Sequence, residues 1–279
     1  MFVLRVHCED RPGIVAAVSA CLSNAQCNIE DSAQFNDHVS GRFFMRVVYS
    51  PLVEGAQERF CDAFSDIAQD FGMIWDVSAY DAPVRAVVMV SKEDHCLHEI
   101  LYRWACGSLQ IDITAVVSNH EVCRDLVEGH GLAFHYLPVA AETKNEQEAA
   151  LRDLIAGTDS ELVVLARYMQ VLSDAFCGDF EGRVINIHHS FLPGFKGARP
   201  YHQAYERGVK LIGATAHFAS ADLDEGPIIE QETVRISHAD TPERLRLIGR
   251  DTEKLVLARA LDIYAQRRVF LQGNRTIIL

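Results

Sequence analysis

Residues 85–90 read Arg85-Ala86-Val87-Val88-Met89-Val90, five apolar residues in a row behind one arginine. A strand with one face in water alternates apolar and polar residues. An unbroken run of this kind suits a strand buried on both faces of a parallel sheet. Downstream, Leu97, Ile100, Leu101, Trp104 and Ala105 fall at helical spacing. Strand-like segments near Ile111–Val117, Phe134–Leu137, Leu162–Ala166 and Val184–Ile187 then alternate with helical ones. That rhythm predicts an α/β domain built on an open, mostly parallel, Rossmann-like sheet. Two more strands, Ile212–Phe218 and Ile228–Val234, follow. A long helix is expected over 241–268, with Thr241 as its cap and Pro242 at its first position.

Upstream the pattern differs. Phe2 to Cys8 alternates as a strand. Asp10-Arg11-Pro12-Gly13 supplies helix-start signals, and Ile14, Val15, Val18, Cys21 and Leu22 mark one helical face. Strands over 29–35 and 42–49 flank a turn, a second helix carries Phe60, Phe64, Ile67 and Phe71, and Met73 to Ala79 closes the unit. The order βαββαβ is that of a ferredoxin-like sandwich. Such a sheet leaves open edges, so a homo-oligomer paired through this unit is expected. The chain therefore reads as a first domain over 1–80, a linker over 81–84 and a second domain over 85–279.

The 279 residues carry 26 basic and 39 acidic side chains, a formal charge of −13. No basic stretch offsets that charge, so nucleic acid and anionic membrane surfaces are poor partners. The first residues alternate like a strand and lack the basic start of a signal peptide. The eight cysteines are scattered without a C-x-x-C pair. Free thiols in a reducing, cytoplasmic setting are the expectation.

Ligands of open α/β sheets bind outside the carboxyl ends of the strands. The densest polar cluster there is Asn186, His188 and His189, followed by the loop Ser190–Gly197. Asn186 and His188 are two apart on a strand and share a face. His189 is expected to point the other way, so the two histidines are not read as a metal pair. No H-x-x-x-H spacing exists either, and no metal site is expected. A second cluster, Ser220-Ala221-Asp222-Leu223-Asp224-Glu225-Gly226-Pro227, offers the Asp224 carboxylate to His188. An amide, an imidazole and a carboxylate together can polarise a carbonyl and move a proton. Spacing alone leaves the plainer alternative open: a structural histidine at a strand end and a solvated acidic turn.

These stretches carry a resemblance. Ile185-Asn186-Ile187-His188, Ser190-Phe191-Leu192-Pro193 with Gly197, and His217-Phe218 with Leu223-Asp224-Glu225-Gly226-Pro227 resemble the signature of the folate-dependent formyltransferase fold. The resemblance implies that Asn186, His188 and Asp224 are catalytic. Leu165-Ala166-Arg167-Tyr168-Met169-Gln170-Val171-Leu172-Ser173 is similar to that family's pterin-holding loop. It implies a folate site lined by Met169, Gln170, Val171 and Leu172, with Ser220, Ala221 and Asp222 as the opposite wall. Asp10-Arg11-Pro12-Gly13-Ile14 and Cys27-Asn28-Ile29 resemble an ACT domain. That likeness implies an amino-acid effector, glycine or methionine, held by Asp10, Gly13 and Asn28.

Together the halves are similar to the deformylase branch of the family, which passes the formyl group to water. The implied substrate is 10-formyltetrahydrofolate, with no prosthetic group, and the products are tetrahydrofolate and formate. One turn bears on the acceptor. Transferases of the family that act on glycinamide ribonucleotide cradle its phosphate in a glycine-rich turn. Here the turn is Ser91-Lys92-Glu93-Asp94-His95-Cys96, with two carboxylates and no glycine, which disfavours a phosphate by repulsion. Glu93 and Asp94 acting merely as helix caps is the alternative. Arg167, Lys196 and Arg199 are candidates to offset the folate's anionic tail. Transfer to an unphosphorylated amine, and a non-catalytic folate or amino-acid sensor, stay open as rival readings.

Overall fold

The computed structural model describes residues 1–140, 142–194 and 200–279. The chain divides into two compact units. One comprises Met1–Ala82 with Gln266–Phe270 and Ile277–Leu279; the other comprises Pro83–Ala265 with Leu271–Thr276.

The first unit runs β1 (Phe2–Glu9), α1 (Ile14–Asn24), β2 (Cys27–Asp37), β3 (Arg42–Pro51), α2 (Ala56–Phe71) and β4 (Ile74–Ala79). Its antiparallel sheet has the order β2-β3-β1-β4. Alternation along β1 sends Leu4 and Val6 to the face that meets Val18 and Leu22 of α1 and Phe60 and Phe64 of α2, all fully buried. The first helix does not begin at Asp10. Gly13 stands before it with φ +98°, a conformation glycine adopts without a Cβ clash, and no side chain caps the helix. The Asp10 carboxylate accepts instead from Asn36 Nδ2 at 2.9 Å.

The second unit runs β5 (Val84–Val90), α3 (His95–Ala105), β6 (Ile111–Ser118), α4 (Arg124–Gly129), β7 (Phe134–Tyr136), α5 (Lys144–Gly157), β8 (Leu162–Leu165), α6 (Asp174–Asp179), β9 (Val184–His188), α7 (Pro200–Glu206), β10 (Leu211–Phe218), β11 (Ile228–Arg235) and α8 (Pro242–Ala265). The sheet order is β11-β10-β9-β8-β5-β6-β7. Strands β7, β6, β5, β8 and β9 are parallel, while β10 and β11 are antiparallel to their neighbours. The apolar run at 86–90 lies in β5, inside the sheet and fully buried. Chain order reverses beside it: β6 and β7 add on one side, β8 and β9 on the other. A crevice opens at such a switch, outside the carboxyl ends of β5, β8 and β9.

The carboxyl terminus departs from expectation. Helix α8 stops at Ala265 rather than 268, Arg267 turns left-handed (φ +57°), and β12 (Val269–Gln272) and β13 (Arg275–Ile278) form a hairpin. Gly273-Asn274 is a two-residue turn between apolar strands, a hairpin signal in the segment beyond the expected helix. Within the first unit this segment explains why β3 is buried on both faces. Phe270 packs edge-on against Phe44 at 5.7 Å, and Arg46 Nε donates to the Gln266 carbonyl at 3.1 Å.

Candidate active site

Three strand ends and two loops enclose a cavity of about 620 Å³ in the second unit. The loop after β8 is tied down from several sides. Met169 N donates to Ser91 Oγ at 2.9 Å, and that hydroxyl donates to Asn119 Oδ1 at 2.7 Å. The buried Glu148 carboxylate accepts from Ser173 N at 2.8 Å and from the Ser173 hydroxyl. Gln147 donates to the Tyr168 hydroxyl at 3.1 Å. Backbone held this way stays in place when a ligand enters. Met169, Gln170, Val171 and Leu172 all line the cavity, and Met169 and Val171 remain more than half exposed. Across from them stand Ser220, Ala221 and Leu223. Asp222 is not among the lining residues; its carbonyl accepts from Ser220 Oγ at 2.8 Å, closing the loop on itself.

Asn186 and His188, on alternate positions of β9, both line the cavity. The loop between β10 and β11 brings Asp224 to them. His188 Nδ1 lies 3.1 Å from Asp224 Oδ1, with the two side chains 5% and 11% exposed. A carboxylate only accepts, so Nδ1 carries the hydrogen. Nε2 of His188 is buried with no hydrogen-bond partner among the described residues. The hydrogen bond from His188, opposed by burial, lowers the Asp224 pKa, so this carboxyl is ionised at neutral pH.

Asp224 itself is left-handed, φ +60°, a strained but tolerable position for aspartate. Gly226 makes the turn possible, because a Cβ there would sit 1.8 Å from the Phe218 carbonyl oxygen. The Phe218 amide in turn donates to Pro227 O at 2.9 Å.

Two histidines alter the picture drawn from spacing. Strand β9 ends at His188, so alternation does not govern His189. Its ring lies 5.0 Å from that of His188 and lines the same cavity. Burial, followed by the Arg167 charge, pushes its pKa down to about 4, which keeps it neutral. His217, quoted in the signature but given no role, faces Asn186 across the β9–β10 pairing. Its Nε2 is 3.2 Å from Asn186 Nδ2 and 3.8 Å from Asp224 Oδ1. A register shift between Ala216 and His217 marks a bulge, which re-aims a side chain at a sheet's functional end.

A second polar group lies along the other arm of the cavity. Glu253, 1% exposed on α8, accepts from His95 Nε2 at 2.8 Å and from the Tyr201 hydroxyl at 2.5 Å, and lies 3.3 Å from Arg167 Nε. Burial pushes its pKa up, but the His95 hydrogen bond and the Arg167 charge bring it below the usual carboxylate range. His95, Cys96 and Glu253 together have ligand atoms within 4.8 Å of one another, a grouping that spacing did not foresee. The carboxylate is already engaged on three sides, and burial raises the Cys96 thiol. The group is built as a closed ion pair rather than as open metal ligands. Arg167 lines the cavity with its Nε turned to Glu253; Lys196 and Arg199 lie outside the described residues. Asp94 stands before α3 without a side-chain cap, whereas Glu93 takes both Arg246 and Arg250.

In the first unit, Asp10 and Gly13 line a cavity of about 700 Å³ together with Arg11, Gln34 and Asn36. Asn28 is not among its lining residues and donates to Glu30 at 3.1 Å.

Comparisons with known proteins agree along the whole chain. The formyl transferase family matches residues 84–261, and the ACT domain family matches residues 2–56. A formyltetrahydrofolate deformylase of Corynebacterium sp. strain P-1 is 46% identical over 278 residues, 99% of this chain and 97% of that one. The Bacillus subtilis strain 168 deformylase is 46% identical over 279 residues, 99% of this chain and 92% of its own. The crystal structure of the Burkholderia mallei deformylase superposes with a TM-score of 0.95 at 47% identity, covering 100% of this chain and 99% of that one.

Proposed function

Because the chain belongs to the formyl transferase family, and within it to the formyltetrahydrofolate deformylases, we infer that Asn186, His188 and Asp224 carry the hydrolysis of 10-formyltetrahydrofolate. The observation behind this is the His188–Asp224 contact, with Nε2 of His188 left unpartnered in the cavity that Asn186 also lines. In the neutral ring Nδ1–H is held by Asp224, so Nε2 presents a lone pair. It takes a proton from water as the water oxygen bonds to the formyl carbon. The carbonyl oxygen becomes an oxyanion and accepts from Asn186 Nδ2. Collapse breaks the C–N10 bond, the imidazolium returns its proton to N10, and formate and tetrahydrofolate leave. Met169 to Leu172 on one side, with Ser220 and Ala221 on the other, hold the pterin. No prosthetic group enters these steps.

Water is the acceptor. Bare repulsion at the 91–96 turn is not the reason, since Glu93 is neutralised by Arg246 and Arg250. Among the described residues, each arginine along that arm of the cavity lies against a carboxylate, Arg167 against Glu253 and the other two against Glu93. A phosphorylated acceptor drawing on these three has to displace an internal anion. Turnover in H₂¹⁸O is expected to place one ¹⁸O in each formate, with added glycine, ammonia or a phosphorylated amine capturing none of the formyl group. Formyl transfer to an added amine in preference to water overturns this reading.

The first unit serves regulation and assembly. The Asp10 carboxylate and Arg11 guanidinium at the start of α1 give opposite charges for the two ends of a small amino acid, and β2 and β4 are open edges for pairing copies. Calorimetry is expected to show binding of glycine or methionine that is lost in Asp10→Ala; no heat with either sinks the effector assignment. The eight free cysteines suit a reducing cytoplasm, and no helix among the described residues is long and apolar enough to cross a membrane.

A further inference from the structure

We infer that His217 is a positioning residue that fixes the orientation of the Asn186 side-chain amide. This rests on Asn186 as the oxyanion donor.

The two faces of an asparagine amide are nearly the same shape, so its orientation is set by what it faces. His217 Nδ1 lies 2.9 Å from the Phe218 carbonyl oxygen, which can only accept. Nδ1 therefore carries the ring hydrogen. The ring is 2% exposed, and its burial lowers its pKa and keeps it neutral. With the hydrogen on Nδ1, Nε2 is a lone pair. The atom of Asn186 that meets it at 3.2 Å must then be a donor, so Nδ2 is placed there and Oδ1 is turned away. Nδ2 has two hydrogens. One satisfies His217, and the second is left for the formyl oxygen. A residue without an acceptor at this point lets the amide rotate and present Oδ1, which repels a developing oxyanion.

The fold builds this relay locally. His217 pairs with Asn186 across antiparallel strands, and the bulge beside it aims the ring. The chain of donors runs from Asn186 through His217 to the backbone at Phe218, so the register of β10 against β9 sets the amide. Asp224 Oδ1, 3.8 Å from Nε2, is beyond hydrogen-bond reach, so this second acceptor does not draw the ring hydrogen from Nδ1 to Nε2.

The test compares substitutions by steady-state formate release, with melting temperature recorded for each. His217→Leu is expected to lower kcat about 100-fold, the scale of losing one oxyanion donor, with KM within about threefold of the parent. His217→Gln, whose Oε1 reaches the place of Nε2 and can accept from Asn186, is expected to recover about tenfold of that loss. His217→Asn, which reaches the Phe218 carbonyl but not Asn186, is expected to stay near the leucine variant. Adding His217→Leu to Asn186→Ala is expected to cost less than about threefold more, since the two act through one hydrogen bond. Equal kcat for the Gln and Asn variants, or losses that multiply in the double variant, overturns the inference. Should His217→Leu fail to fold, the Gln against Asn comparison decides alone. If Asn186→Ala keeps full turnover, the oxyanion assignment itself fails. If Asn186→Ala is crippled while His217→Leu is not, only the positioning role falls.

Discussion

His188→Ala is expected to lower kcat for formate release by about 10³–10⁴-fold, at the upper end of what one general acid–base group supplies. No other described group can take the role from the same place. His189 is neutral with its pKa at about 4, a weak base, and the His217 lone pair faces Asn186. Binding should survive, because the proposed pterin walls come from the loop after β8, which is tied down without His188, and from residues 220 and 221. The check is formate release alongside the dissociation constant of a non-hydrolysable folate analogue. A kcat within tenfold of the parent would sink the base assignment, and a large loss of analogue affinity would move His188 from chemistry to binding.

Asp224→Asn is the second large effect, expected at about 10²–10³-fold in kcat. Asparagine tolerates the left-handed backbone at this position and matches aspartate in size, so the turn closed by Gly226 is retained. What is lost is the acceptor-only carboxylate. An amide facing Nδ1 with its N–H selects the wrong tautomer of His188 and takes the lone pair away from Nε2, an effect already known from catalytic aspartate–histidine pairs. Since Asp224 acts through His188, the double substitution should be no slower than His188→Ala alone, within about threefold. Losses that multiply in full would show Asp224 acting on the substrate independently.

Much of this architecture was legible from local pattern. The apolar run at 86–90 marks a strand buried on both faces, and the βαββαβ order of the first unit follows from spacing alone. Placing Asn186 and His188 on one face is simple strand geometry. The pattern failed where an element stopped. It carried α8 three residues past Ala265 and gave no element to the hairpin beyond, and it turned His189 away although β9 ends one residue earlier. It also read a helix start from Asp10 on, where Gly13 holds the chain in a left-handed turn before Ile14 instead.

The sequence by itself determined which residues form strands and helices, and which side chains share a face, because those depend on neighbours a few residues away. It did not determine who meets whom. His217 meets Asn186 through strand register, Glu93 meets Arg246 and Arg250 from more than 150 residues away, and Glu253 closes on His95 and Tyr201 from α8. Such encounters depend on sheet order and helix docking, which are set by the burial of the whole core. The protonation and orientation of each site group follow from those encounters, so the chemistry became readable only once the chain was folded.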